Sequence, residues 1–218
     1  RFDEKRVTGW RLEISCREGG RSSRLYMDEM GLAEIPRNPY PVKYTFADFD
    51  AVLASFSNAS LTGEFRRQGG YGALMSPESG KTASIYKGID PIKLSDYADQ
   101  MNKLAISFWV YTDAVGEDVE FMFSLGSGGT WANVWQMSYI FKDSYAPTAG
   151  QWYHVLLRLA DGKMSDAFDW NDVTMWRFEQ HNMGEKPAYN LYVDEIQLVE
   201  VPIWTDPGPT ENLVHVIN

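Results

Sequence analysis

The chain is poor in the residues that most catalytic and metal chemistry needs. Its 218 residues contain one cysteine, Cys16, and three histidines. A single cysteine excludes an internal disulfide framework and a CxxC-type zinc site. His154, His181 and His215 form no His-Glu-x-x-His pair, and no Walker loop or Gly-x-Ser-x-Gly is present. The Gly run in GSGGTWAN is far weaker than a phosphate-binding fingerprint. Glycoside hydrolysis needs two carboxylates about 5 to 10 Å apart, and no spacing among the 30 acids singles out such a pair. No apolar run approaches the ~20 residues of a membrane span. The opening RFDEKRVTGW lacks the apolar stretch of a signal peptide.

Positive charge is scarce too. Twenty Lys and Arg against 30 Asp and Glu give a net charge of −10. Binding to a nucleic-acid backbone rests on clustered Lys and Arg, and no basic stripe exists here. Neutral ligands or cations suit such a surface better. Aromatics, by contrast, are abundant: eight Trp, twelve Tyr and eleven Phe. They serve a large core, or interfaces that need an apolar face with a polar rim.

The chain also repeats itself. LYMDEMGLAEIP, from Leu25, matches LYVDEIQLVEVP, from Leu191, and WRLE at Trp10 matches WRFE at Trp176, at a constant offset of 166 residues. A domain-sized period points to tandem domains rather than a short-repeat solenoid. Residues 1–37 then read as the trailing β-hairpin of an upstream unit, or as an appended hairpin serving the same core. Gly19 and Gly20 supply its turn. Residues 43–201 form the main module, and 202–218, with Pro-Gly-Pro, read as a linker or tail.

Within the module, Phe49, Val52, Leu53 and Phe56 fall at helical spacing, so a short helix is expected over 46–56, with Asp48 as its cap. A second is expected from Ser95. The rest reads as nine or ten strands, including LTGEFRRQ, YGALMS, TASIYKG, DVEFMFSLG and VWQMSYIF. In LAISFWVYT, Leu104, Ile106, Phe108 and Val110 share one face, and Ser107, Trp109 and Tyr111 the other. In QWYHVLLRLA, Tyr153, Val155, Leu157 and Leu159 oppose His154 and Arg158. The fold class is all-β: an antiparallel β-sandwich, specifically a jelly roll, with one or two short helices.

In LYVDEIQL the apolar phase slips by one between Leu191/Val193 and Ile196/Leu198. One extra residue in a strand is a β-bulge, which places Asp194-Glu195 there. Paired carboxylates can hold a hard cation such as calcium. They serve equally as a solvated edge that resists edge-to-edge pairing.

The succession FADFDAVLASF, ISFWVY, GQWYHVLLRL, WRFEQ and LYVDEIQLVE resembles the jelly-roll carbohydrate-binding modules appended to bacterial polysaccharide-degrading enzymes and surface glycan proteins. It also resembles the non-catalytic N-terminal β-sandwich domains of some polysaccharide lyases. The resemblance covers roughly Tyr44 to Val201. It implies a structural calcium shared between Asp48 or Asp50 and Asp194, although the opening segment departs from the Phe-Glu-Asp form usual there. A sugar ring stacks its C–H groups on a flat aromatic face while polar neighbours bond its hydroxyls. Trp109, Tyr111, Trp131 and Trp170 are the candidate platforms; His154, Arg158 and Arg177 are the polar companions. The alternative for each aromatic is core packing. The Trp-Arg pair kept in both repeats, Trp176-Arg177 here, reads as packing, which sets a structural role for Arg177 beside the polar one.

The expected function is non-catalytic binding of a polysaccharide or other glycan within a larger multidomain protein, extracellular or on the cell surface, next to neighbouring domains of the same protein. The alternative is a structural or adhesion repeat, whose aromatics would anchor protein contacts.

Overall fold

The computed structural model describes residues 38–78, 80–113, 120–140, 150–181, 189–201 and 213–216. The hairpin expected over 1–37 lies outside the described residues. Thirteen strands among them form two sheets. The first contains β1 (Val42–Ala47), β3 (Ala59–Thr62), β4 (Gly72–Met75), β6 (Leu104–Thr112), β9 (Trp152–Arg158), β12 (Leu191–Glu200) and β13 (Leu213–Val216). Its order is β13-β9-β6-β12-β4-β3, and β1 also pairs with β12. The second contains β2 (Ser55–Ser57), β5 (Thr82–Ile92), β7 (Glu120–Ser127), β8 (Thr130–Ile140), β10 (Lys163–Met164) and β11 (Val173–His181), in the order β10-β8-β7-β11-β5-β2. All pairs are antiparallel except β13 with β9. The architecture is the expected all-β sandwich.

Alternation builds the core. Leu104, Ile106, Phe108 and Val110 of β6 face Phe121, Phe123 and Leu125 of β7 and Trp176 and Phe178 of β11, all fully buried. Ring pairs lock the layer: Phe108 meets Phe178 edge-on at 5.1 Å, and Phe123 stacks on Trp176 at 6.2 Å. Burying each such Phe contributes about 1.5–3 kcal/mol. Trp176 is thus structural, as its recurrence in the repeat suggested.

Three sequence expectations need correction. No helix spans 46–56. β1 runs into the segment, and Phe49 takes φ +58°, which interrupts helical geometry. Phe46, Phe49 and Phe56 pack on the core from a strand, a turn and a second strand, so their helical spacing is incidental. The strand read over 61–68 ends at Thr62, and the chain then loops to Tyr71. Within the 202–218 tail, Leu213–Val216 adds a strand parallel to β9. The helix expected from Ser95 is present as a 3-10 helix, Leu94–Lys103.

Candidate functional site

Each sheet turns one face to the core and one outward, and the two outward faces differ in kind. On the first sheet the register sets rows across β12, β6 and β9: Tyr192–Tyr111–Trp152, Asp194–Trp109–His154 and Gln197–Ser107–Leu156. Trp109, Tyr111 and His154 therefore share a face, as alternation required.

This face is covered by its own chain. The bulge inferred at Asp194-Glu195 is present: Asp194 pairs with Trp109 and Gln197 with Ser107, with Glu195 at φ +55°. Asp194 thereby stays on the outward face, where Oδ2 accepts the Arg67 and Gln68 N–H groups at 2.8 and 3.1 Å. Its Oδ1 accepts the Glu195 N–H at 2.8 Å. Burial pushes the Asp194 carboxyl up to about 7, against the pull of these N–H groups, and the neighbouring Glu195 charge raises it further. The loop so held lays Arg67 over the Trp109 ring at 4.5 Å, while His154 stacks on that ring at 4.5 Å and 12°. β6 lies between β12 and β9, so these two neighbours flank Trp109 from opposite sides. Phe65 of the same loop covers Tyr192 at 4.4 Å and Tyr111 at 5.1 Å.

The connector after Arg37 closes the other end. Asn38 Nδ2 donates to Ser107 Oγ and to Gln197 Oε1, both at 2.8 Å, and Tyr40 packs on Ala105, Leu156, Val199 and Val201. Ser107 Oγ also shares a 2.7 Å hydrogen bond with His154 Nε2. That Ser–His pair is fully sealed, since Ser107 is 0% and His154 3% exposed, and a nucleophile needs access to its substrate.

The remaining sequence candidates fall elsewhere. Arg158 forms a bidentate pair with Asp161 at 2.8 and 2.7 Å, which raises its pKa. Trp170 packs beside the core against Phe168 at 4.8 Å and Trp135 at 6.4 Å, and its carbonyl receives Leu94 N–H. It is a part-buried side chain at a loop, packed on the edge of the core.

The expected calcium ligands do not converge. Asp48 Oδ1 accepts the N–H groups of Asp50, Ala51 and Val52, closing a turn. Asp50 receives Gly70 N–H on both oxygens, and Gly69, at φ +69°, lies so close that a Cβ would strike the carboxylate. Asp50 and Asp194 thus both hold the loop after Thr62, each through backbone amides. Among the described residues no three His, Cys, Asp or Glu side chains stand together to hold a metal. The three carboxylates as placed do not fit the cation that the resemblance implied.

The second sheet's outward face is different. Its register aligns Tyr86, Arg177, Ser124, Gln136 and Lys163 in one row across five strands. Ser84, Glu179, Met122 and Ser138 make the next row. At one end, Gly128 and Gly129 both take positive φ (64° and 68°), the backbone that a two-residue hairpin between β7 and β8 requires. Residues 131–133 have no partner in the β7 ladder, because the register jumps between Gly126/Val134 and Ser127/Thr130. Trp131 thereby escapes the inward phase of Trp135 and stacks with Arg177, whose guanidinium lies 4.5 Å from its ring.

Arg177 Nε approaches Glu179 Oε2 to 3.0 Å, and His181 Nε2 lies 4.0 Å from the same oxygen. The Arg–Glu contact is misaligned for a hydrogen bond, so both atoms keep their bonding capacity; so do Ser124 Oγ and His181 Nε2. Buried polar atoms in folded proteins are almost always partnered. Four lie unpartnered on one face of one sheet beside the partly exposed Trp131 and Arg177, although the atoms themselves are closed to water, with Ser124 0% and Glu179 8% exposed. Sequence reasoning reached Trp131 and Arg177 here but missed Tyr86, Ser124, Gln136 and Glu179, whose alternation looks like any solvated strand face.

No family model matches the chain, and no curated protein is similar to it. Solved structures share the fold. A family 30 carbohydrate-binding module from a cellulosomal cellulase of Clostridium thermocellum matches with TM-score 0.51 and 12% identity, over 75% of this chain and 96% of that one. A second family 30 module matches with TM-score 0.51 and 12% identity, over 77% and 88%. An agarase matches with TM-score 0.52 and 11% identity over 73% of this chain, which spans only 26% of the agarase. The chain has the β-sandwich fold found in carbohydrate-binding modules.

Proposed function

We propose that this chain is a non-catalytic glycan-binding module whose ligand lies across the outward face of the second sheet. The observation that carries the reading is the partly exposed Trp131 ring stacked with Arg177, whose side chain keeps 30% of its surface in water, on a sheet face of polar residues. A sugar supplies what that face lacks: hydroxyls that donate and accept, and apolar C–H surfaces that stack on an indole. The shared fold with carbohydrate-binding modules supports the same reading. The likeness to one part of an agarase, and the internal repeat, support placement in a larger multidomain protein, exported to where polysaccharide is met. No helix among the described residues is long and apolar enough to cross a membrane.

The test is affinity electrophoresis and calorimetry against agarose, hydroxyethyl cellulose and xyloglucan. At least one should bind. Trp131→Ala and Arg177→Ala should each weaken that binding about tenfold or more, as buried aromatic and Arg anchors do, with the fold intact by circular dichroism. No binding to any neutral or charged polysaccharide would end the reading.

A further inference from the structure

We infer that Glu179 acts as a charge filter, so that the second sheet's face accepts neutral glycans and rejects those carrying carboxylate or sulfate groups. The inference rests on the proposed glycan reading and deepens it.

Arg177 offers only donors, and an ionised Glu179 offers only acceptors. They stand 3.0 Å apart without a mutual hydrogen bond. Nε and Oε2 are closed to water, so a ligand meets the exposed remainder of the two side chains, 30% and 11%, and a group that meets both must accept from one and donate to the other. A hydroxyl does so, and two neighbouring hydroxyls on a sugar ring do so without strain. Gln136, partly exposed in the same row, is likewise a two-way partner. A carboxylate or sulfate only accepts. It would leave the Glu179 carboxylate without a donor from the ligand and bring like charge against it.

Charge balance points the same way. The Arg177 cation that would welcome an anion is already compensated by Glu179. Placing a second anion there costs more than surface repulsion would, because Glu179 is only 11% exposed and water screens it poorly. Among the described residues, the other charged or titratable groups near these rows are Tyr86, His181, 4.0 Å from Glu179, and Lys163, exposed on the edge strand at the far end of the row. Of the described residues in these rows, Lys163 is the one fixed cation besides Arg177, and three strand spacings, roughly 14 Å, separate the two. The whole chain, at −10, repels polyanions. Excluding a wrong partner with a placed like charge is a common route to specificity.

The experiment compares matched backbones: hydroxyethyl with carboxymethyl cellulose, and agarose with a sulfated galactan, using the full chain, Glu179→Gln and Glu179→Asp. The full chain should prefer the neutral member of a bound pair by about tenfold or more. Glu179→Gln should lose some neutral affinity with its acceptor, yet bring the neutral-to-anionic ratio close to one. Glu179→Asp keeps the charge on a shorter arm and should keep the ratio; folding of each variant is read by its melting temperature. Binding of anionic chains as well as neutral ones by the full chain overturns the filter and leaves the glycan reading standing. A ratio unmoved in Glu179→Gln also overturns it. If no polysaccharide of either kind binds, both inferences fall together.

Discussion

The two outward faces carry similar residue types and put them to opposite uses. On the first sheet, Trp109 is enclosed between Arg67 and His154, and Phe65 covers Tyr111 and Tyr192. Its carboxylate, its Ser107 hydroxyl and its imidazole are tied to backbone amides or to one another, while the Trp109 indole N–H lacks a partner among the described residues. On the second sheet, Trp131 meets only Arg177 among the ring and cation contacts of the described residues, and the polar row beneath retains open bonding capacity. An Arg-on-Trp stack occurs on both faces at 4.5 Å. The stack itself therefore does not identify a binding surface. What separates the faces is whether neighbouring donors and acceptors are already matched.

The largest expected effect tests the enclosed face. Trp109→Ala should destabilise the fold by about 3 kcal/mol, the low end for truncating a Trp, since part of its surface stays exposed. The midpoint of urea unfolding should drop accordingly, while any glycan affinity measured on folded protein stays within twofold. Lost binding with little lost stability would reverse the roles assigned to the two sheets.

The next effect concerns the carboxylate that holds the covering loop. Asp194 titrates near 7 in the fold, against about 3.9 unfolded. The folded state thus keeps its proton longer. The stability this group contributes is fully present below the unfolded value and declines as pH rises to about 7, at up to about 1.4 kcal/mol per unit. Asp194→Asn cannot titrate. The stability of wild type minus variant should fall with pH across that window and level off above it. A difference that rises instead would mean that the Arg67, Gln68 and Glu195 N–H groups outweigh burial and hold Asp194 as an anion.

The same contrast explains what could be read from the sequence. Strand alternation in β6 and β9 assigned Trp109, Tyr111, His154 and Arg158 to one face, and the slip of apolar phase located the bulge at Asp194-Glu195. Both are local signals. Which outward face is covered was not local: Phe65 and Arg67 reach Trp109 and Tyr111 from a loop more than 40 residues earlier in the chain. The helical spacing of Phe49, Val52, Leu53 and Phe56 misled, because a core accepts side chains from turns as readily as from helices. Trp170 looked like a loop platform since only Phe168 and Trp135, brought close by folding, show it to be packed. Ser124, Gln136 and Glu179 stayed unremarked because polar alternation is what any strand facing water shows. Unmet bonding capacity is visible only once the neighbours are placed.

The smallest effect sharpens the comparison at its edge. Arg158 was a candidate sugar ligand by its position opposite the apolar run of β9. It forms instead a fork with Asp161 three residues on, at 2.8 and 2.7 Å, closing the turn after the strand. An aligned, bidentate pair of this kind is worth more than a typical exposed pair, yet its guanidinium keeps 23% of its surface in water, which screens the interaction. Arg158→Ala should therefore cost about 1 kcal/mol, and should not alter glycan affinity by more than twofold. Raising salt to 1 M should shrink the gap between wild type and variant, since exposed charge is screened within about 3 Å there. A tenfold loss of affinity in Arg158→Ala, with stability unchanged, would extend the binding surface onto the first sheet and remove the distinction on which the assignment of faces depends.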